Sequence, residues 1–550
     1  MKEQKIIIKT KEIPFILLLA VFAIVITFLP FLFANLYTPA TKQFMGILLN
    51  VPDHAQYFSW MRSFAENFLI SNKLTPEPNP PVFFNLLWWS IAQLNKLFPF
   101  GYSGAIQFLR IVGGGCFIGM SYVCASAYFS DVYQRRLSLI VIVFGSGLGW
   151  IWVVEKYLFQ LSDVRFPLDL YVAEGNTFLS LLGYPHFIAA ALYVTVFWFI
   201  LKAWQTKRLR FAVLGGLLGQ FWGWQHAYDL WIIYAVIGAF SLLLWIREKQ
   251  FPWIMLKAGV ILVGISFPPG LYSFLLTSID PLWKNILEQF SNAGVFTPSP
   301  LHLLLLMGIP LIFAIIQSIY EFKNFHQISD FDLFILGWFV ISFVLVYLPV
   351  DYQIHMLNGW QIPFGLLAVK FWTGWIKKLS QKWSWLSNEW NKIKIQRVIT
   401  WMIVLLVIPT NIYLFAWRFV DLGRFDYPYF LHNEELAAFQ WLDENANEND
   451  VVFSSLTIGQ YIPAWTGSTS FLAHWAQTVD YYAKENFVNQ FYKSAQLNSQ
   501  QISMLNQFSI DYVFWGPAEK SIGSSDLDLI DQLEPVFSND LVRIYRWTGE

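Results

Sequence analysis

The stretch "IPFILLLAVFAIVITFLPFLFANL", residues 13–36, contains no charged side chain. About 20 apolar residues in helical form cross the roughly 30 Å hydrocarbon core of a bilayer. This run is therefore read as a membrane span. It is too long for the apolar region of a signal peptide and no small-residue cleavage site follows, so the reading is a retained helix. Runs of the same kind recur as far as residue 417. The candidate spans are 13–36, 104–129, 137–158, 186–203, 209–224, 228–246, 254–277, 301–320, 331–349, 360–376 and 398–417. The whole chain agrees with this: 56% of its 550 residues are hydrophobic and 13% are charged, against about a quarter charged in soluble proteins. The fold class is a polytopic α-helical membrane protein of about 11 spans.

Lys and Arg gather in short cytoplasmic loops, which fixes orientation. Lys2, Lys5, Lys9 and Lys11 precede the first span; Arg135 and Arg136 follow the second. Lys202, Lys207, Arg208 and Arg210 follow the fourth, Arg247 and Lys249 the sixth, and "KKLSQKWSWLSNEWNKIKIQR" (377–397) separates the last two. With eleven spans every cluster lies on one side. The N-terminus is then cytoplasmic, while segment 37–103, the later loops near 159–185, 225–229, 278–300 and 350–360, and the C-terminal region are extracytoplasmic. Two domains are expected: 1–424, containing the spans and the large first outside loop, and a soluble α/β domain, 425–550.

Several function classes are excluded or disfavoured. A net charge of -1 provides no basic stripe for nucleic acid. Cys116 and Cys124 share one apolar segment, so no disulfide framework is implied. The cores of the spans hold almost no ionisable groups, with Arg110 and Glu155 near outer ends, whereas coupled transporters bury charges at mid-membrane depth. Glycines recur at close spacing (Gly115 and Gly119; Gly145 and Gly149; Gly215, Gly219 and Gly223), which reads as close helix packing. "GSGLG" (145–149) lacks the Lys-Ser/Thr of a phosphate loop.

In the last 125 or so residues the pattern changes. "NEELAAFQWLDENANEND", "DYYAKENFVNQFYKSAQ" and "SQQISMLNQFS" read as helices, "VVFSS", "TSFLAHW" and "DYVFWG" as strands, and "PVFSNDLVRIYRW" as a hairpin turning at Asn539-Asp540. Ligands of such sheets favour the carboxyl ends of strands, which makes His474, Trp475 and Gly516 the candidate acceptor-domain site.

The chemistry-bearing candidates lie in the outside segments. In "NVPDHAQYFSWM" (50–61), Asp53 is placed as a helix cap with Gln56 completing a capping box, and His54 follows it. Tyr57, Trp60, Met61, Phe64 and Phe68 form one stripe, the pattern of a helix lying along a membrane surface. A Pro-rich connector and a second apolar helix follow in "TPEPNPPVFFNLLWWSIAQL". Asp169 and Glu174 lie in the second outside segment, His186 begins a span, His226 and Asp229 sit between two spans, and Asp351 and His355 follow the ninth. An enzyme working outside must use an already activated substrate, because nucleotide sugars are cytoplasmic and no nucleotide fingerprint is present. A lipid-linked sugar phosphate fits: its phosphate is a good leaving group. The protein then supplies a carboxylate base and groups that hold the departing phosphate. Asp53 is the candidate base, and His355, His226 or Arg110 the candidates for the phosphate.

"VPDHAQYFSWMRSF", "PEPNPPVFF", "FGSGLGW", "EGNTFLSLLGYPHF", "QHAYDL" and "ELAAFQWLDENANENDVVFSS" together resemble bacterial membrane glycosyltransferases of the GT-C superfamily, near its mannosyl- and arabinosyltransferases. The resemblance covers nearly the whole chain as an architecture rather than a tight motif. It implies a polyprenyl-phosphate sugar donor, an inverting mechanism, a glycan, lipid or protein acceptor, and an acidic residue in the first outside loop, here Asp53. The frequent Asp-x-Asp or Glu-x-Asp pair is replaced by "DHA", with Glu174 as the candidate second acid and a divalent metal as a candidate cofactor. Donor or substrate contacts are assigned to His54, Arg110, Glu174, His186, His226, Asp229, Asp351 and His355. The implied location is the bacterial plasma membrane, among membrane lipids. The alternatives are a non-catalytic membrane protein whose outer domain binds a glycan or lipid and, third, a transporter or lipid flippase.

Overall fold

The structure, a computed structural model, describes residues 8–162, 172–289, 296–382, 389–494, 496–523 and 527–549. Asp169, Lys2, Lys5 and the middle of segment 377–397 lie outside the described residues. The chain forms two compact units. One comprises Met1–Pro30, Ile106–Leu271 and Phe296–Val420, and the other Phe31–Ala105, Tyr272–Val295 and Asp421–Glu550.

Among the described residues, six helices are long and apolar enough to cross a membrane, or eight when each of two bent pairs is taken as one span. Three further expected spans are helices too: Arg210–Gly223, Asp330–Leu345 and Gln361–Gln381. They are shorter or more polar, so length and composition alone support six to eight spans rather than eleven. Helix Arg210–Gly223 packs through its glycines. A Cβ added at Gly216 would lie 2.8 Å from Ile265 Cβ, and one at Gly223 would lie 2.7 Å from Pro269 Cγ. Gly115 and Gly119 differ from the expectation of close packing, since a Cβ at either meets nothing within 4 Å.

Three helix breaks in the first unit satisfy one another. The expected span 137–158 is two helices, Val132–Phe144 and Gly149–Tyr157, bent by 52° at "GSGL". Within helix Pro300–Lys323, Gly308 leaves helical geometry at φ 66°, ψ -156°, two residues before Pro310. A third break separates Glu389–Val407 from Pro409–Leu422, where Pro409 cannot supply an N–H. Ser146 N donates to Val407 O at 2.6 Å and Leu148 N to Leu305 O at 2.9 Å. Thr410 Oγ1 donates to Gly147 O at 3.0 Å, and Asn411 Nδ2 donates to Phe144 O at 2.9 Å. Backbone groups released inside a bilayer must find such internal partners, because no water is there to take them. Side chains come no closer here because Gly147 and Gly308 have none: a Cβ on Gly308 would be 3.0 Å from Gly147 Cα.

The second unit carries the sheets. Strand β1 (Lys42–Phe44) pairs antiparallel with β2 (Phe430–His432), joining the segment after the first span to the C-terminal region. β3 (Val451–Phe453), β4 (Thr469–Ser470), β5 (Ile510–Trp515), β6 (Leu533–Ser538) and β7 (Arg543–Trp547) form one sheet in the order β4-β3-β5-β7-β6. β3 runs parallel to β4 and β5; β7 is antiparallel to β5 and β6. Helices Asn433–Asn445, Tyr481–Lys493 and Ser499–Gln507 stand where the sequence places them. The 533–547 hairpin turns at Asn539, whose side-chain oxygen accepts from Leu541 N and Val542 N. The sheet's core includes Phe453, Phe471, Phe491, Val513 and Tyr545.

"TSFLAHW" differs: only Thr469 and Ser470 are strand. After them the chain turns on itself: Ala473 N and His474 N donate to Thr478 Oγ1 at 3.1 and 3.0 Å. The turn is tied to residues 72–75, where Asn72 Nδ2 donates to Gln477 O at 3.0 Å, Thr478 Oγ1 to Leu74 O at 2.6 Å, and Val479 N to Thr75 Oγ1 at 3.0 Å. N–H groups already given to Thr478 are not left to extend a ladder.

Candidate functional site

Two side-chain constellations gather most of the candidate residues, one in each unit. In the second unit, helix Val51–Glu66 begins three residues earlier than the cap reading places it. Pro52 sits in its first turn, where a missing N–H costs nothing. Asp53 is therefore inside the first turn and is not the N-cap; that position is Asn50, in the left-handed region at φ 45°. A carboxylate in a first helical turn is stabilised by the exposed N–H dipoles there. The aromatic stripe also differs from the membrane-surface expectation. Phe58, Trp60, Met61 and Phe64 are buried by protein: Tyr57 stacks on Trp88 at 4.3 Å and Phe58 on Tyr102 at 5.1 Å. Phe68 alone of the five is largely exposed.

Both oxygens of Asp53 are held. Asn50 Nδ2 donates to Oδ2, and His474 Nε2 lies 3.0 Å from Oδ1. The proton on His474 is fixed by its other nitrogen. The backbone N–H groups of Ala476 and Gln477 point at Nδ1, at 3.0 and 3.2 Å, so Nδ1 accepts. Nε2 then carries the hydrogen and donates to Asp53. His474 is buried at 2% side-chain exposure, while Asp53 keeps 21%. The carboxylate is thus oriented from one side and reachable from the other. Trp475 lies with its ring 4.9 Å from that of His474. Gly516 begins helix Pro517–Ile522, with its N–H given to Glu519 Oε2 at 3.0 Å. His54 is buried, its Nδ1 3.0 Å from Asn50 O within its own turn.

In the first unit, two imidazole–carboxylate pairs face one another. His355 Nδ1 is 2.6 Å from Glu174 Oε1. His226 Nδ1 is 3.2 Å from Asp229 Oδ2, an ion-pair contact rather than an aligned hydrogen bond. The two rings are 5.8 Å apart and nearly perpendicular. Tyr228 stacks on His355 at 5.3 Å and on Tyr352 at 4.3 Å, and Phe187 lies against both imidazoles. Asn358 Nδ2 donates to Asp229 Oδ1 at 3.3 Å, and Gln361 donates to the Glu174 carbonyl. Gly359 makes the turn at φ 77°, where a Cβ would strike Tyr193 Oη. His226 is pulled two ways. Burial favours its neutral form, but the charges of Asp229 and Glu174 outweigh that and raise its pKa above the ordinary value. His186 is buried beside this group, its ring 4.3 Å from Phe187. Asp351, half-buried next to Tyr352, joins neither pair.

Arg110 joins neither pair. Its guanidinium donates to Leu181 O at 2.8 Å, Leu182 O at 2.9 Å and Gln107 Oε1. It therefore closes the carbonyl end of the short helix Thr177–Gly183. Among the described residues no three His, Cys, Asp or Glu side chains are arranged to hold a metal ion.

The sequence singled out Asp53 and His474 separately but held no signal for their pairing across 421 residues. Asn50 and Asn358 were missed, although each stands beside a candidate. Two buried carboxyls were also missed. Glu435 accepts from Tyr427 Oη at 2.6 Å and His432 N at 2.8 Å, and burial pushes its pKa up to about 7. Glu519 accepts from Ser455 N at 2.9 Å and Gly516 N at 3.0 Å, and burial raises it as well.

No protein-family model matches the chain, and no curated protein matches it in sequence. Solved structures match its fold. Against the archaeal oligosaccharyltransferase AglB from Archaeoglobus fulgidus, in complex with an inhibitory peptide and a dolichol-phosphate, the TM-score is 0.54 at 12% identity, covering 95% of this chain and 72% of that one. ArnT from Cupriavidus metallidurans bound to undecaprenyl phosphate gives 0.51 at 11%, covering 96% and 97%. The arabinofuranosyltransferase AftD from Mycobacteria gives 0.55 at 11%, covering 96% of this chain but 40% of AftD. At such identities the likeness is one of fold alone: this chain shares the fold of AglB, ArnT and AftD.

Proposed function

We propose that this GT-C-fold membrane protein is a glycosyltransferase that moves a sugar from a polyprenyl-phosphate donor to an acceptor hydroxyl, with Asp53 as general base. The observation that carries this reading is the carboxylate held by His474 Nε2–H and the Asn50 amide with one face left open. A base fixed in direction before the acceptor arrives avoids reorganisation at the moment of reaction. In the proposed step the acceptor oxygen attacks the anomeric carbon, its proton passes to Asp53, and the carbon–oxygen bond to the lipid phosphate breaks. One direct displacement inverts the anomeric centre. The paired imidazoles of His226 and His355 are assigned to an anionic lipid phosphate, since the raised pKa of His226 favours its cationic form. The polyprenyl-phosphate donor is supported by the fold shared with ArnT, whose structure is bound to undecaprenyl phosphate. The Lys and Arg distribution supports a cytoplasmic N-terminus and an extracytoplasmic C-terminal region, and the resemblance to bacterial membrane glycosyltransferases supports the plasma membrane.

The test compares wild type with Asp53→Asn in lipid, offering polyprenyl-phosphate sugars and following release of lipid phosphate. General-base removal is expected to cut turnover by about 10²–10⁴ with thermal unfolding little changed. No turnover by wild type on any donor, together with a destabilised variant, would overturn the reading in favour of a glycan- or lipid-binding protein.

A further inference from the structure

Helices Asp229–Glu248 and Trp253–Ile279 border an open groove of about 660 Å³ within the first unit. It starts at the turn between them, with Trp245, Phe251 and Pro252, and runs inward to Tyr234 and Gly264. At 1.5 Å per helical residue the slot is roughly 17–20 Å long. That is slightly more than one leaflet of a hydrocarbon core about 30 Å thick. Its polar side chains are already used. Tyr234 Oη bonds with Ser266 Oγ at 2.8 Å, and Ser241 Oγ donates to Ile237 O at 2.7 Å. The slot therefore offers an occupant only apolar surface, which rules out a sugar or a phosphate inside it.

Two lysines neighbour the lining residues in sequence. Lys249 stands two residues before Phe251 and Lys257 one residue after Leu256, and neither forms an ion pair with the described residues. Arg247 is not available in the same way. It bonds to Glu248 Oε1 at 2.8 Å, Ile328 O at 3.1 Å and Asp330. An apolar groove of one leaflet's depth, with Lys249 in the turn at its end and Lys257 following Leu256 of its lining, has the chemistry of an anionic phospholipid: acyl chain along the groove, phosphate beside the lysines. From this geometry we infer that the hairpin of residues 229–279 is a binding site for one anionic phospholipid. This site is independent of the proposed reaction.

The slot can be filled without disturbing its walls. A Cβ built at Gly238, Gly259 or Gly264 meets no atom within 4 Å, and leucine is a better helix former than glycine. The test uses the full chain purified from bilayers of phosphatidylcholine and phosphatidylglycerol, with retained lipid read by native mass spectrometry. Wild type is expected to retain one phosphatidylglycerol per chain in preference to phosphatidylcholine. Gly238→Leu/Gly259→Leu is expected to reduce that adduct at least about tenfold, equivalent to 1.4 kcal/mol, with unfolding unchanged. Lys249→Gln/Lys257→Gln is expected to remove the preference for phosphatidylglycerol. If the double leucine variant does not fold, Gly264→Phe blocks the deep end alone. An adduct that survives the filled slot overturns the inference, as does undecaprenyl phosphate displacing phosphatidylglycerol in a competition arm.

Discussion

The link between Asp53 and His474 can be broken and its parts weighed. His474→Ala removes a hydrogen bond to a carboxylate, a class that contributes about 1.5–3 kcal/mol. It also strands the N–H groups of Ala476 and Gln477, both buried, at about 1–3 kcal/mol each. Water entering the vacated space recovers part of this, so the expected local cost is about 3–5 kcal/mol. Hydrogen exchange read by mass spectrometry on peptides covering 474–480 is the assay, because it reports local opening in a chain too large for a single two-state transition. A cost of about 3 kcal/mol corresponds to roughly a hundredfold faster exchange of those two amides. Asp53→Ala, by contrast, leaves both N–H groups bonded to Nδ1 and spares them. The cycle of the two single variants and the double variant should show a coupling of about 1.5–3 kcal/mol at residues 50–56. Unchanged protection of 476 and 477 in His474→Ala would refute the assignment of the hydrogen to Nε2. Strict additivity would refute the bond to Asp53.

Two further outcomes concern pH. Glu435 has a folded pKa of about 7 against an ordinary 4.5, so the folded state holds the extra proton between those values. The associated stability is fully present below pH 4.5 and is lost as pH rises through 7, about 3 kcal/mol in all. Glu435→Gln should flatten the fall in thermal stability between pH 5 and pH 8, and an unchanged slope counts against the assignment. The raised pKa of His226 predicts that polyprenyl phosphate binds more tightly as pH falls through that value. His226→Gln should abolish the dependence, measured as affinity for undecaprenyl phosphate across pH 6–8, and an identical profile in the variant removes His226 from the phosphate.

Spans and the α/β pattern were legible in the sequence because both depend on local periodicity. An uncharged 24-residue run such as 13–36 has few ways to avoid a bilayer, and "DYVFWG" or "DYYAKENFVNQFYK" declare strand and helix by spacing alone. Exact element limits were less legible where two local signals competed. At residues 50–53, Asp suggested a cap, while Pro52 in the first turn and Asn50 at φ 45° set the start earlier. "GSGLGW" announced glycines but not a break, because a 52° bend is stable only when Val407 O and Leu305 O are there to take the released N–H groups.

Apolar runs long enough to cross a bilayer are readable from the residues alone, since transfer energies add residue by residue along the chain. The sequence also supplied the inventory of carboxylates and imidazoles in the loops. Their bonding partners came from tertiary contacts alone. Arg110 is bound to the carbonyls of residues 181 and 182, His355 to Glu174, and Asp53 to a histidine 421 positions away. A hydrogen bond is set by positions within about 3 Å and by which atom holds the proton. Neither is a property of sequence neighbours.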